Sequence, residues 1–576
     1  MIKRLMKCIR QYRKDTILTP LYVSLEVVID VVIPVLMANL IDQGVSRGDM
    51  SKIWLYGALL VVSCAVSLLL GTLSGRSAAI ASAGFAHNLR SDMYANVQRF
   101  SFFNIDRFST ASLVTRLTTD VTNVQNAFQM VIRIAVRSPV MLVFSLIMAF
   151  RVSPNLAWVF LCVIPILGVG MYLIIKNAQP VFTRVFKTYD RLNKVVQENV
   201  RGIRVVKSYV REEYETQKFE AVSQDIYKDF SLAERILAFA MPLMQFSMYL
   251  IILLLSWFGA QMIVGSTMTT GQLMSLLTYA FQILMSLMML SMVFVMLTMS
   301  RASTQRIVEV LAEETDIESP ANPVAQVRDG SVTFENVGFS YSKDETHLCL
   351  TDINITIPSG AVVGVLGETG SGKSTLTQLI PRLYDATVGT VRVGGVDVKD
   401  YDLRALREAV AMVLQKNELF TGTIKDNLRW GNEHATDEQL VRACELAQAD
   451  GFIRQFPDGY DTLIEQGGAN VSGGQKQRLC IARALLKTPK ILILDDSTSA
   501  VDTATDAKIR KALREAIPET TKLIIAQRIA SVQDADMIIV MDGGHIVAVG
   551  THDELMLSSD IYREVYDSQT KGGERQ

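Results

Sequence analysis

The sequence predicts an α-helical polytopic membrane domain of six spans, with long helix extensions beyond the bilayer, fused to an α/β domain. Three observations carry that expectation. The 576 residues exceed one compact core, so at least two domains are expected. From Ile236 to Ser300 there is no Asp, Glu, Lys, Arg or His, whereas after residue 310 charges are frequent and glycine punctuates short apolar runs. Within that second half sits the phosphate-loop pattern Gly367-Glu368-Thr369-Gly370-Ser371-Gly372-Lys373-Ser374-Thr375.

A helix needs about 20 apolar residues to cross the hydrocarbon core. Six stretches reach or approach that length: Ile17–Ile41, Ile53–Gly75, Ile132–Phe150, Leu156–Ile175, Ile236–Val264 and Gln272–Ser300. The first is too long for a signal peptide, and no small-residue cleavage site follows it. Six lysines and arginines within residues 1–14 place the N-terminus in the cytoplasm. The short, uncharged loop Gly265–Gly271 suits an outside hairpin. An even number of spans returns the second half to the cytoplasm, so a multi-pass cell-membrane protein is expected.

Gly75 to Ile132 and Ile175 to Ile236 are too long for turns. Both are charged and helix-favouring, and read as long solvated helix pairs. Glu313 to Gly330 holds Pro320 and Pro323 with no periodic apolar face, and reads as a linker. The expected division is a membrane domain over 1–312, the linker over 313–330, the α/β domain over 331–567 and a disordered tail over 568–576. The net charge of −1, with basic residues spread rather than striped, predicts no nucleic-acid partner. Six widely spaced cysteines show no metal or disulfide pattern, and buried thiols are expected.

Val362–Leu366 reads as a buried strand and Thr375–Ile380 as the start of a helix. Between them, glycines let backbone N–H groups wrap phosphate oxygens at a helix N-terminus. Downstream come Val471-Ser472-Gly473-Gly474-Gln475, then the apolar strand Ile491–Leu494 running into Asp495-Asp496, then Leu523–Ala526 ending at Gln527. In that order these motifs resemble the ATPase domain of ABC transporters. The resemblance covers almost the whole chain, tightly in the second half and loosely in the first.

The resemblance implies ATP and Mg²⁺ as ligands. Lys373 would reach the phosphates and the Ser374 hydroxyl would ligate Mg²⁺. Asp495 would hold the metal through water, with Gln415 as a further ligand. Tyr341 matches the aromatic that stacks on adenine. Ser472, Gly473, Gly474 and Gln475 match the signature loop, which in this family grips the nucleotide of the opposite subunit. Short coupling helices at the tips of the cytoplasmic extensions would lie near Phe103–Phe108 and Tyr209–Tyr214.

Two positions depart from the family. Asp496 stands where Glu is usual, and Gln527 where His is usual. Asp496 has the charge that positions an attacking water but is one methylene short, about 1–1.5 Å, a misplacement that can cost about 10²-fold. Gln527 can donate a hydrogen bond but cannot carry a proton or a positive charge. Both losses fall on one composite site while Ser472–Gln475 is intact. The chain therefore resembles the degenerate-site subunit of heterodimeric multidrug-type ABC exporters. That implies a second, non-identical half-transporter as partner and small hydrophobic or amphipathic compounds as cargo. The alternative is an active homodimer exporting lipid or peptide.

Twelve of 25 methionines lie between residues 241 and 300. Met285, Met288, Met289, Met292, Met296 and Met299 recur at helical spacing. Helix packing or lipid contact explains any single one, and the stripe tilts the reading towards a broad apolar cargo set. Glu26 and Asp30 share a face of the first span, as do Arg133 and Arg137 of the third. Charges at such depth are paired or face a cavity. Counting about 1.5 Å per residue places Arg137 level with Glu26, so an ion pair is expected there. Asp30 lies higher, without an evident cationic match, and is the candidate for a cationic substrate or a proton.

Overall fold

Backbone amides in hydrocarbon have no water to bond, so a spanning segment must close its hydrogen bonds within a helix. Among the described residues, six helices are long and apolar enough to cross a membrane: Arg10–Val45, Met50–Val97, Thr110–Val152, Pro154–Arg201, Glu212–Val264 and Thr270–Ala312. The computed structural model describes residues 2–496 and 501–573. It divides into two units, Met1–Gln98 with Thr110–Glu313, and Arg99–Ser109 with Glu314–Gln576.

In the first unit, the 48-residue helices Met50–Val97 and Pro154–Arg201 run about 72 Å each, more than twice a ~30 Å core. The long charged connections are therefore helix, as expected. Beyond the apolar part, Arg184 pairs with Asp229 at 3.6 Å, Lys218 with Glu198 at 3.2 Å, and Arg191 with Asp225. Exposed pairs of this kind are worth about 0–1 kcal/mol each, so they set register more than stability. Inside the bundle, Ile251, Leu255, Leu276, Tyr279 and Ile283 are fully buried. The Tyr279 hydroxyl donates to Val31 O at 2.8 Å, and Ser145 Oγ to Gln282 Oε1 at 2.9 Å. Near the hairpin Gly265–Gly271, Asp42 accepts from Thr269 Oγ1 at 2.5 Å and from Gly271 N at 2.9 Å. A Cβ at Gly271 would lie 2.4 Å from Ala38 O, which explains the glycine.

The second unit has two main sheets. One is antiparallel, with strand order Leu350–Ile357, Val332–Phe339, Val388–Val393, Val396–Asp397. The other runs His545–Gly550, Met537–Asp542, Val362–Gly367, Thr521–Ile525, Ile491–Asp495, Val410–Val413. It is parallel except at the edge hairpin of its last two strands in sequence. Its central strands are continuous apolar runs because both faces are covered, and Ile491–Asp495 is buried throughout. Parallel pairing brings the ends of Val362–Gly367, Ile491–Asp495 and Thr521–Ile525 to one edge, which is where open α/β sheets bind ligands.

The segment 99–109 belongs to this second unit. Its short helix Phe102–Arg107 opens on a capping box of Ser101 and Asn104. Asp106 Oδ2 accepts from the Tyr384 hydroxyl at 2.6 Å, and Lys343 Nζ lies 4.4 Å from the Phe103 ring centre. The other tip is a helix over Ile203–Ser208 followed by Val210 at φ 52°. Two expectations fail. The last helix runs Asp560–Gly573, past residue 568, because Tyr562 and its neighbours pack on Leu366, Ile529 and Leu555; Glu574–Gln576 lie outside the described residues. Cys64, Cys162 and Cys349 are exposed and only Cys8, Cys444 and Cys480 are buried; Cys64 and Cys162 lie on spanning helices, whose outer faces accept small apolar side chains, and Cys349 lies just before the strand Leu350–Ile357.

Candidate functional site

The loop after Val362–Gly367 turns sharply onto the helix beginning at Lys373. Gly372 sits at φ 94°, and a Cβ there would meet Leu350 at 2.6 Å, so only glycine fits. Lys373 is buried, and its ammonium donates to Gly367 O at 2.8 Å and Glu368 O at 2.6 Å. Burial holds Lys373 below the usual lysine range, opposed by the nearby Asp495, Asp496 and Glu368. Ser374 Oγ donates to Asp495 Oδ1 at 3.0 Å, joining the loop to the strand end. Burial pushes Asp495 above the usual carboxylate range, against that hydrogen bond. Thr375 Oγ1 lies 2.9 Å from the Tyr341 hydroxyl. The Tyr341 ring stands edge-on to Phe339 at 4.8 Å and Tyr384 at 5.3 Å, and is 42% exposed.

Asp496 follows the buried strand at φ 47°, a conformation non-glycine residues rarely adopt and one that gathers at functional sites. Its Oδ2 accepts from Gln527 Nε2 at 3.2 Å. Its carboxylate is also hydrogen-bonded to Gln415. Burial raises the Asp496 pKa, and Gln415, Lys373 and Arg528 oppose the rise. Asp496, Gln527 and Gln415 thus converge beside Ser374, Asp495 and Lys373.

Two participants carry no motif. Gln477 Nε2 donates to the Asp496 carbonyl at 3.3 Å, tying the helix Gly473–Leu485 to that turn. Gln569, on the last helix, donates to Gln527 O at 2.8 Å and accepts from Ile529 N at 2.9 Å. It clamps the turn that carries Gln527, from 42 residues away. Gln569→Ala should release this turn by about 1 kcal/mol. Amide exchange at Ile529 should then rise about fivefold, read by hydrogen–deuterium exchange, with exchange in Ile491–Asp495 unchanged.

Ser472 caps Gly473–Leu485: its Oγ accepts from Gln475 N at 3.3 Å, and Gln475 Oε1 accepts from Ser472 N at 2.8 Å. Ser472 and Gly473 are exposed. Among the described residues, no hydrogen bond joins Ser472 to Gly367–Thr375 of this chain.

In the first unit, Arg137 bridges two acids, Nη1 to Glu26 Oε1 at 2.5 Å and Nη2 to Asp30 Oδ2 at 2.8 Å. Ser67 Oγ adds a hydrogen bond to Asp30 Oδ1 at 2.7 Å. The expected Glu26 pair is present, but Asp30 is not free for a cationic substrate. The planar fork of arginine spans one helical turn, so a single guanidinium serves both carboxylates. Arg133 stays outside this cluster; its Nη1 lies 3.9 Å from where a Gly75 Cβ would be.

The region 17–288 matches the family model for the ABC transporter transmembrane region, and 350–499 matches the ABC transporter model. The chain is 35% identical over 544 residues, 94% of each chain, to the uncharacterized ABC transporter ATP-binding protein YfiB of Bacillus subtilis (strain 168). It is 31% identical, over 84% of each chain, to the ATP-dependent lipid A-core flippase of Desulfotalea psychrophila. The solved structure of a bacterial Atm1-family ABC exporter with ATP bound shares the fold, with a TM-score of 0.81 at 23% identity over 97% of this chain and 98% of that one. One membrane domain of six helices joined to one ATPase domain, matched along nearly its whole length, makes this chain a half-transporter of the ABC exporter type, a multi-pass membrane protein belonging to the ABC transporter family.

Proposed function

We propose that this chain is the impaired-site half of a heterodimeric ABC exporter that moves hydrophobic or amphipathic compounds out of the cell. One observation carries the proposal. Asp496 and Gln527 are hydrogen-bonded to each other, so the two departures from the family pattern form one defect in one place. The Ser472–Gln475 turn, exposed at Ser472 and Gly473, keeps the signature residues that would complete a partner's site. A partner is also favoured by the tip at Ile203–Ser208. Val205, Tyr209, Val210 and Tyr214 are 60%, 73%, 81% and 59% exposed there, an apolar surface that calls for a cover.

In this reading Lys373 and the backbone of Gly367–Thr375 hold ATP phosphates, and Tyr341 meets the adenine. Ser374, Asp495 and Gln415 offer the hard oxygen ligands that Mg²⁺ takes. Among the described residues there is no group of three His, Cys, Asp or Glu that could hold a metal. That fits an ion bound by one carboxylate plus substrate oxygens. Bound there, Mg²⁺ would neutralise phosphate charge. Asp496 would place water poorly, and Gln527 would donate to phosphate without supplying charge.

The test is the purified chain alone. It should bind ATP-Mg²⁺, measured by nucleotide retention, and hydrolyse it at least about 10²-fold more slowly than the assembled pair. Robust, cargo-stimulated ATPase from this chain by itself would overturn the heterodimer. It would leave the homodimeric lipid exporter, a reading favoured by the relationship to a lipid A-core flippase.

A further inference from the structure

A cavity of about 520 Å³ opens among the fourth, fifth and sixth spanning helices, within the range of small-molecule sites. Its walls are Leu167, Met171, Met244, Leu287 and Phe294, and its polar end carries Lys176 and Gln179. Depth along the helix gives the cavity its meaning. Counted from Pro154 at the outer face, Leu167 lies about 20 Å down, Lys176 about 33 Å and Gln179 about 38 Å. On the sixth span, counted from Thr270, Leu287 to Phe294 lie about 26–36 Å down. With a ~30 Å core, Leu167, Met171 and Leu287 lie in the inner leaflet, and Lys176 and Phe294 stand at its headgroup level.

The charge there is unspent. Farther along the same helix Arg184 and Arg191 pair with acids of the neighbouring helix, whereas Lys176 joins none of the ion pairs among the described residues. Gly168 lines the slot, and a Cβ there would meet nothing within 4 Å. Glycine in mid-helix is unfavourable relative to alanine, and here its effect is to leave the slot open. Methionines at 171, 244 and 288 make the wall adaptable.

We propose that this slot binds an anionic amphiphile drawn from the inner leaflet, with its acyl chain along the apolar wall and its phosphate-bearing headgroup on Lys176. As a statement about cargo this rests on the exporter reading; as a statement about binding it stands apart from it. It also reverses the charge preference that an unpaired Asp30 would have implied.

Full-length protein in non-ionic detergent would be exposed to equimolar phosphatidylglycerol and phosphatidylcholine of one acyl composition, and bound lipid counted by native mass spectrometry. The wild type should retain phosphatidylglycerol over phosphatidylcholine by about tenfold, the scale of one charge-assisted contact. Lys176→Gln should bring that ratio within about twofold while phosphatidylcholine stays bound. Gly168→Leu, which fills the slot and favours helix, should reduce both lipids. No preference in the wild type would overturn the proposal. So would a preference that survives both substitutions, because the retained lipid would then be annular and Lys176 only a topological anchor. Neither outcome touches the ATPase test above, so the two readings fail separately.

Discussion

Ser472→Arg in this chain should remove nearly all ATP turnover of the assembled transporter, at least about 10²-fold, while Asp496→Asn should lower it by no more than about twofold. The asymmetry follows from which site each residue serves. Ser472 is an exposed helix cap, bonded to Gln475 and, through its carbonyl, to Lys476 N at 2.9 Å, so in the proposed heterodimer its side chain can meet the partner's nucleotide. An arginine there adds bulk and removes the oxygen. Loss of the cap alone would cost about 1 kcal/mol of stability, too little to explain a hundredfold loss of turnover. Ser472→Asn separates the two effects, because Asn caps as well as Ser but presents an amide to the phosphate. Asp496 is bonded to Gln527, and in the proposed impaired site its charge would have little rate left to lose. Steady-state ATPase of both assembled variants decides. Equal losses would mean that this chain's own site carries the main hydrolysis.

What the sequence made legible is what depends on local pattern. Spans announce themselves by about 20 apolar residues. The phosphate loop and Ser472–Gln475 announce themselves because their work is done by backbone geometry that needs particular residues in a row. The missed contacts join residues far apart. Arg137 reaches Asp30 across 107 positions, and whether one guanidinium serves one acid or two depends on how the first and third spans are rotated about their axes. Residue counting gives depth but not rotation. Gln569 is a glutamine in an unremarkable amphipathic helix, and its clamp on the Gln527 turn exists only because that helix packs on Leu366 and Ile529. The same packing explains why the terminal segment is helical through residues 568–573, where composition suggested disorder. Gln477 is buried within the stretch that follows the signature loop, and its amide reaches Asp496 only once the strand and the helix are side by side.

Arg137→Ala should be the most damaging single change in the membrane domain. It strands two carboxylates, Glu26 with a side chain 11% exposed and Asp30 19% exposed, in the middle of the bundle. Breaking a buried pair by removing one partner typically costs about 3–5 kcal/mol. Arg137 itself is 34% exposed, so the low end, about 3 kcal/mol, is expected. One oxygen of Glu26 already lacks a hydrogen-bond partner, which leaves that carboxylate nothing else to lean on. Unfolding of such a protein is irreversible, so the measurement is the half-life of the monodisperse species on heating in detergent. Arg137→Met combined with Glu26→Gln and Asp30→Asn should restore most of that half-life, because replacing a whole buried ion cluster by neutral side chains is far cheaper than halving it. If Arg137→Ala is as long-lived as the wild type, the cluster is not a structural bridge. If the triple variant is no better than Arg137→Ala, the loss comes from arginine packing rather than from stranded charge.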